Sequence, residues 1–167
     1  MHSARNRQEK EHECTLRVAT GRLAGWRRRS DCLGGIEIIF KNPAGDDEGW
    51  TVLDYRLPAR QFGAPFHYHE ELIESFYVLS GEIWFRVGDD EVALGPGGFA
   101  FVPAGVPHSF ANRTDEPARM LAHASNSNRK KFLCELFKLV EREPVWPPKD
   151  RRAILELGKR YDSVYLQ

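Results

Sequence analysis

Long apolar runs are missing from this chain of 167 residues. No stretch reaches the roughly 20 consecutive apolar residues that a membrane-spanning helix needs. The N-terminal sequence MHSARNRQEKEHE also lacks the apolar segment of a secretory signal. We therefore expect a protein that neither spans a membrane nor carries a secretory signal in this segment.

Cysteine is scarce, and the charges are balanced. Cys14, Cys32 and Cys134 lie far apart and form no C-x-x-C motif, which predicts reduced thiols and a cytoplasmic location. The 24 Lys and Arg residues equal the 24 Asp and Glu residues in number, so the formal net charge is zero. No general attraction to nucleic acid or to an anionic membrane is expected. The short basic cluster GWRRRSD is too small by itself to predict a nucleic-acid-binding arm.

Short runs rich in Val, Ile, Phe, Tyr and Trp fill the middle of the chain, and turn residues separate them. ESFYVLSG and EIWFRV, for example, flank the tight turn at Ser80 and Gly81. Many short strands at such spacing predict an all-β sandwich or barrel. We expect a polar N-terminal extension (residues 1–30), a β-barrel (residues 31–125) and a C-terminal tail (residues 126–167).

The pattern changes to a helical period in the tail. Phe132, Leu136, Leu139 and Val140 fall at i, i+4, i+7 and i+8, which predicts one apolar helix face. PVWPP interrupts this helix, and Asp150 is placed to cap a second one. The tail is therefore predicted to be a short helical segment packed on the barrel.

Three histidines and one glutamate are the candidate metal ligands. His67 and His69 alternate, so they share one face of a strand, and Glu74 heads the next apolar run. His108 follows in GGFAFVPAGVPHSFAN. Each signal alone is weak, because an H-x-H pair is more often a surface feature. Imidazoles with one carboxylate suit a divalent transition metal (Fe, Mn, Ni, Co, Cu or Zn), and the sequence does not choose among these metals.

The joint spacing resembles the two motifs of the cupin superfamily. The residues that match are His67, His69, Glu74 and Gly81 in the first motif, and Gly97, Pro103, Gly105, His108 and Asn112 in the second. One departure is Gln61, which stands where the family often has a turn glycine. The resemblance implies a double-stranded β-helix, a jelly-roll barrel. The layout of residues 30–162 is similar to small single-domain bacterial cupins, including quercetin 2,3-dioxygenase-like proteins.

Three classes of function stay open, since one fold hosts many chemistries. The resemblance first implies a metal-dependent dioxygenase that acts with O₂ on an aromatic or enolisable small molecule, with Glu74 accepting a proton from the substrate. The second class is a non-redox metal enzyme such as a polyketide cyclase, an isomerase or a dehydratase. The third is a ligand-binding cupin without enzymatic activity. The resemblance also implies a homodimer.

Strand alternation indicates which side chains surround the candidate site. Phe76 and Val78 share the face of Glu74, Phe110 shares the face of His108, and His123 lies in the last strand. An apolar, aromatic-lined pocket around a metal would suit a flat, apolar substrate. The same phenylalanines could equally be part of the barrel core, and His123 could face either the pocket or solvent.

Overall fold

A computed structural model describes residues 26–30, 35–41, 49–126, 128–142 and 150–166, with only the backbone described for residues 26–30. These residues form eleven strands and two helices. The strands in chain order are β1 (Trp26–Ser30), β2 (Ile36–Phe40), β3 (Thr51–Leu57), β4 (Phe62–Tyr68), β5 (Glu74–Ser80), β6 (Ile83–Val87), β7 (Asp90–Leu94), β8 (Phe99–Val102), β9 (His108–Ala111), β10 (Ala118–Ala124) and β11 (Val164–Tyr165).

Two antiparallel sheets build the barrel. One sheet has the order β1-β2-β3-β10-β5-β8, and the other has the order β11-β4-β9-β6-β7. Strands that are distant in sequence are therefore neighbours, as when β10 lies between β3 and β5. This arrangement is a jelly-roll, and it confirms the predicted all-β fold.

The core lies between the two sheets, and strand alternation fills it. In β10, Ala118, Met120, Ala122 and Ala124 are buried, whereas the residues between them are half-buried. The inward side chains of the neighbouring strands join one continuous apolar cluster with them. Burial of alternate residues is the main source of stability for such a sheet pair.

Helix α1 (Asn128–Val140) and helix α2 (Arg152–Arg160) follow the last long strand. α1 buries Phe132, Leu133 and Phe137 in the barrel core. The predicted apolar face included Leu136 and Leu139, but both residues are only half-buried. The buried face of α1 is therefore shifted from the predicted face. No helix in the described ranges is long and apolar enough to cross a membrane.

Two short strands fall inside the ranges that the sequence assigned to the extension and the tail. β1 begins at Trp26, within the expected polar extension, and pairs with β2. β11 lies in the expected helical tail and pairs with β4. Asp150 accepts a hydrogen bond from the backbone N–H of Arg152 at the start of α2, at 3.0 Å. The PVWPP segment, Cys14 and Cys32 lie outside the described residues.

Candidate metal centre

The four predicted ligands meet at one place between the sheets. His67 lies near the end of β4 with His69 just after it, and His108 opens β9 opposite His67 in the strand pairing. Glu74 opens β5 in the other sheet and therefore faces the histidines across the barrel. Each of the four side chains is only 2% exposed, and their ligating atoms lie within 4.8 Å of one another.

An irregularity in β4 aims the first histidine inward. Ala64 and His67 are both buried although they are three residues apart, and the pairing of β4 with β9 shifts between them. Such a bulge allows two inward residues at an odd spacing. Pro65, which has no N–H to give to a neighbouring strand, lies within this irregular stretch. Its carbonyl accepts a hydrogen bond from Nδ1 of His67 at 2.7 Å.

Backbone carbonyls fix the tautomer of all three histidines. Nδ1 of His67 donates to Pro65, and Nδ1 of His108 contacts the carbonyl of Val106 at 3.2 Å. Nδ1 of His69 donates to the carbonyl of Asp162, far along the chain. A proton held on Nδ1 leaves Nε2 with a free lone pair, as in metal-binding histidines.

The Nε2 atoms and the carboxylate of Glu74 form a compact set of acceptors. Oε2 of Glu74 lies 3.0 Å from Nε2 of His108 and 3.3 Å from Nε2 of His69. Among the described residues, Nε2 of His69 is buried without a hydrogen-bond partner. Two acceptors at such a distance repel each other unless a positive ion lies between them. The three nitrogens and one carboxylate therefore fit a divalent transition metal.

Burial and neighbouring charges set the protonation states of His67 and Glu74. Burial lowers the pKa of His67 well below its usual value, and His108 and Arg129 lower it further. Burial alone would raise the pKa of Glu74. The positive charge of Arg129 is the largest influence that opposes burial, and this pKa lies well below its usual value. The site thus has a neutral imidazole at His67 and an ionised carboxylate at Glu74.

The loop that carries His69 is fixed from two sides. The carboxylate of Asp162 accepts hydrogen bonds from the backbone N–H groups of Glu70, Glu71 and Leu72, at 2.6, 3.1 and 2.8 Å. The N–H of Gly105 donates to the carbonyl of His69 at 2.6 Å, from a turn in which Gly105 has φ +79°. This support restrains the position of His69 before any ligand binds.

The predicted pocket residues divide between the core and the surface. Phe76, Val78 and Phe110 are buried to 1% exposure or less, and the Phe76 ring centroid lies 6.3 Å from that of His108. They form an apolar layer beneath the four ligands. Of the two orientations left open for His123, the structure has the outward one, because His123 lies on the opposite face of β10 from buried Ala122 and Ala124 and is half-buried. Strand alternation therefore points His123 out of the barrel.

Asn112 holds the turn after β9. Its side-chain N–H groups donate to the carbonyls of Pro58 and Glu116 at 2.8 and 2.7 Å, and its oxygen accepts from the backbone of Thr114 at 3.0 Å. Asn112 therefore has a structural role in this turn. This role keeps Asn112 buried without making it a ligand.

Arg129 is the site residue that the sequence did not reveal. It lies at the start of α1, is 6% exposed, and places Nε 3.2 Å from Oε1 of Glu74. Tyr165 of β11 approaches from the same region of the tail, with its ring centroid 5.8 Å from that of His67. The position of Arg129 in the sequence is the one sign of its burial. Arg129 precedes Phe132 and Leu133 by three and four residues and so shares their apolar helix face.

Comparison with known proteins links this site to one family. Residues 53–123 match the family model described as the cupin domain. Over 44 residues the chain is 43% identical to quercetin 2,3-dioxygenase of Bacillus subtilis (strain 168). That stretch covers 26% of this chain but only 13% of the Bacillus protein.

Two solved structures illustrate the likeness in fold. A sugar phosphate isomerase from Silicibacter pomeroyi DSS-3 is 28% identical, with a TM-score of 0.56 over 62% of this chain and 72% of the other. A predicted oxalate decarboxylase from Thermotoga maritima is 21% identical, with a TM-score of 0.51 over 61% of this chain and 93% of the other. At 21% identity the second comparison shows a shared fold alone.

Proposed function

Since the chain belongs to the cupin superfamily, we propose that it is a metal-dependent enzyme, a dioxygenase that acts on an aromatic or enolisable small molecule. One observation carries this proposal: four ligand-type side chains, each 2% exposed, converge in the barrel with their ligating atoms within 4.8 Å. Buried groups of this kind are costly to assemble without an ion or a reaction that uses them.

The choice of a dioxygenase is supported by local sequence. The stretch that is 43% identical to a quercetin 2,3-dioxygenase spans only 44 residues. We therefore propose the same reaction class for this protein and define its substrate class only broadly. Nε2 of His67, His69 and His108 and Oε2 of Glu74 would hold the metal, which is Fe, Mn, Ni, Co, Cu or Zn. When bound, such an ion acts as a Lewis acid toward a substrate oxygen.

The protein's own residues would bind the substrate and receive its proton. The carboxylate of Glu74, whose Oε1 lies 3.2 Å from Nε of Arg129, is the group that we assign to proton transfer from a substrate hydroxyl. Glu74 is ionised and can therefore accept that proton. Phe76 and Phe110, with ring centroids 5.5 Å apart, provide an apolar layer that excludes water from beneath the four ligands.

A non-redox isomerase is the second candidate. The sugar phosphate isomerase from Silicibacter pomeroyi has the same fold at 28% identity, and it covers more of this chain than the dioxygenase match does. An isomerase would use the same cluster to move a proton without consuming O₂.

Oxygen uptake separates the candidates. The purified protein would be loaded separately with each of the six metals, its metal content measured, and a flavonol panel offered in an oxygen-electrode cell. O₂ consumption that matches substrate loss supports the dioxygenase. Turnover of an offered sugar phosphate without O₂ supports the isomerase, and binding without turnover for every metal favours a ligand-binding protein.

Glu74→Gln tests the proposed proton acceptor. The amide keeps an oxygen that can contact a metal but cannot accept a proton as a carboxylate does, so some metal should stay bound while turnover falls by about 100-fold or more. Metal content and turnover would be measured on the same sample. Near-wild-type turnover in this variant would show that Glu74 is not the base.

A further inference from the structure

A buried arginine lies beside the candidate metal centre. Arg129 is 6% exposed, and its guanidinium carbon lies 5.3 Å from the centre of the Phe132 ring on the same helix. An arginine is almost never fully buried without a partner, because removing its charge from water is costly. The reason for burying Arg129 must therefore lie in what it contacts inside the barrel.

Glu74 is the acidic partner of Arg129, but the pairing between these two side chains is incomplete. Nε of Arg129 lies 3.2 Å from Oε1 of Glu74, but among the described residues this buried N–H has no hydrogen-bond partner. The other oxygen of Glu74 faces the histidines. The guanidinium therefore keeps donor capacity that Glu74 does not satisfy.

The charges of the site do not balance once a metal is bound. Glu74 contributes one negative charge and Arg129 one positive charge, which cancel. Imidazoles bind a metal in their neutral form, so the three histidines add no charge. A divalent ion would then leave two positive charges in a site whose side chains are at most 7% exposed. Such an excess is unfavourable in a low-dielectric interior and favours an anionic ligand.

We propose that Arg129 is the anion-binding residue of this site and that the substrate carries a carboxylate or phosphate group that contacts Arg129 and lies beside the metal. This inference rests on the proposed metal-dependent function and adds that the aromatic or enolisable substrate carries an oxyanion group. Arginine suits this role because its planar guanidinium donates two parallel hydrogen bonds to a carboxylate or a phosphate. The Tyr55 hydroxyl, which interacts with the guanidinium, lies in the same region.

Anion binding to the metal-loaded protein tests the proposal without any need for turnover. The Co²⁺-loaded wild type would be titrated with acetate, inorganic phosphate and the neutral ester methyl acetate, by calorimetry and by the Co²⁺ absorption spectrum. At least one of the two anions should bind, and the ester should not. The preferred anion distinguishes a carboxylate from a phosphate substrate.

Two substitutions of Arg129 and one control complete the test. Arg129→Gln should weaken anion binding by about 10- to 100-fold with an unchanged metal content. Arg129→Lys retains the charge without the planar fork, so its affinity should lie between those of the wild type and the glutamine variant. Arg152→Gln removes an arginine that is 84% exposed and should bind anions as the wild type does.

Three results would overturn the proposal. The first is that the metal-loaded wild type binds neither anion. The second is that the Arg129→Gln variant binds the anions as the wild type does. The third is that folded Arg129 variants lose both metal binding and anion binding. The last result would mean that Arg129 serves only to hold Glu74. A protein that binds anions through Arg129 but consumes no O₂ would contradict the proposed dioxygenase activity. The proposed anion-binding role of Arg129 would still be supported.

Discussion

The hydrogen bond on Nδ1 decides what each buried histidine can do. His67, His69 and His108 each direct Nδ1 to a backbone carbonyl, so their Nε2 atoms are left for another partner. Pro65 lies in β4, whereas Val106 lies in a loop and Asp162 in the tail, so backbone outside the sheets also takes part in the site. A ligand set restrained in this way binds metal with little loss of side-chain entropy.

His67 and His123 form a matched pair for testing the ligand assignment. Both are strand histidines, but His67 is 2% exposed at the site and His123 lies on the outer face of β10. His67→Ala should weaken metal binding by at least about tenfold, because it removes a direct ligand. His123→Ala should retain the wild-type metal content. Metal analysis after dialysis measures both variants, and equal retention of metal would contradict the assignment.

The sequence predicted the histidines more readily than Arg129. His67 and His69 lie two residues apart in a strand, and His108 stands in a run with turn-forming Gly and Pro. Arg129, in contrast, stands in NRKK, a stretch that is typical of a solvated helix end. Its burial depends on how α1 packs against the barrel, and that packing depends on contacts that local sequence does not encode.

Among the elements, β11 and the turn before it connect the tail to the metal centre. Asp162→Gly should weaken metal binding by about 10- to 100-fold, because it removes the carboxylate that holds the loop after His69. Glycine suits this position, since Asp162 has φ +59° and no backbone strain is introduced. Metal affinity would be measured by competition with a chelator.

Asp115→Gly is the control for this experiment. Asp115 is 79% exposed and pairs with Arg60, which is itself 65% exposed. Its loss should leave metal affinity unchanged. If both glycine variants bind metal as the wild type does, the loop needs no support from Asp162.

A buried carboxylate couples β3 to β10. Asp54 is 0% exposed, and Arg119 donates to both of its oxygens at 2.9 and 2.8 Å while Lys41 lies 3.1 Å away. Burial tends to raise the pKa of Asp54, but the bonds from Arg119 and Lys41 outweigh it and hold the pKa below its usual value. Such a group stabilises the fold above its unfolded-state pKa, and this stabilisation is lost as the pH falls through its folded-state pKa.

Asp54→Asn should therefore lower the free energy of unfolding by about 1.5–3 kcal/mol at pH 7. The difference from the wild type should shrink below about pH 4, where the Asp54 carboxylate of the unfolded chain begins to bind a proton. Urea unfolding at pH 7 and pH 3 measures this change. Asp150→Asn, at an exposed pair with Arg152, should have little effect at either pH.

Sequence periodicity predicted the long strands but not the short ones. β5 and β6 have apolar alternation and a clear turn between them, so their local pattern suffices. β1 has the sequence WRRRS, and β11 has only two residues, VY. Both are strands because a neighbouring strand edge supplies hydrogen bonds, and no short sequence window contains that information.

At the scale of the whole molecule, the outer face of β5 and β8 carries exposed aromatic side chains. Tyr77, Phe99 and Phe101 are 41%, 57% and 55% exposed, and Tyr77 lies opposite Phe99 in the pairing. β8 is also the last strand of its sheet. An apolar sheet edge of this kind tends to pair with another chain. We propose that a second copy of this protein covers it, giving a homodimer.

Phe99→Ser combined with Phe101→Ser should convert that dimer to a monomer, because it removes two of the three aromatic contacts. Light scattering coupled to size exclusion measures the mass. Val92→Ser is the control, since Val92 is 44% exposed on β7 in the other sheet and should leave the mass unchanged. A wild type that is monomeric at micromolar concentration would rule out the homodimer.

The hydrogen bond from His69 to Asp162 spans 93 residues, and this separation sets an order of events during synthesis. A ribosome releases the chain from its N-terminal side, so all four ligand residues emerge well before Asp162 does. Until Asp162 arrives, the ring of His69 has no carbonyl to fix its tautomer. We therefore expect a chain that ends before Asp162 to bind the proposed metal more weakly than the full chain does.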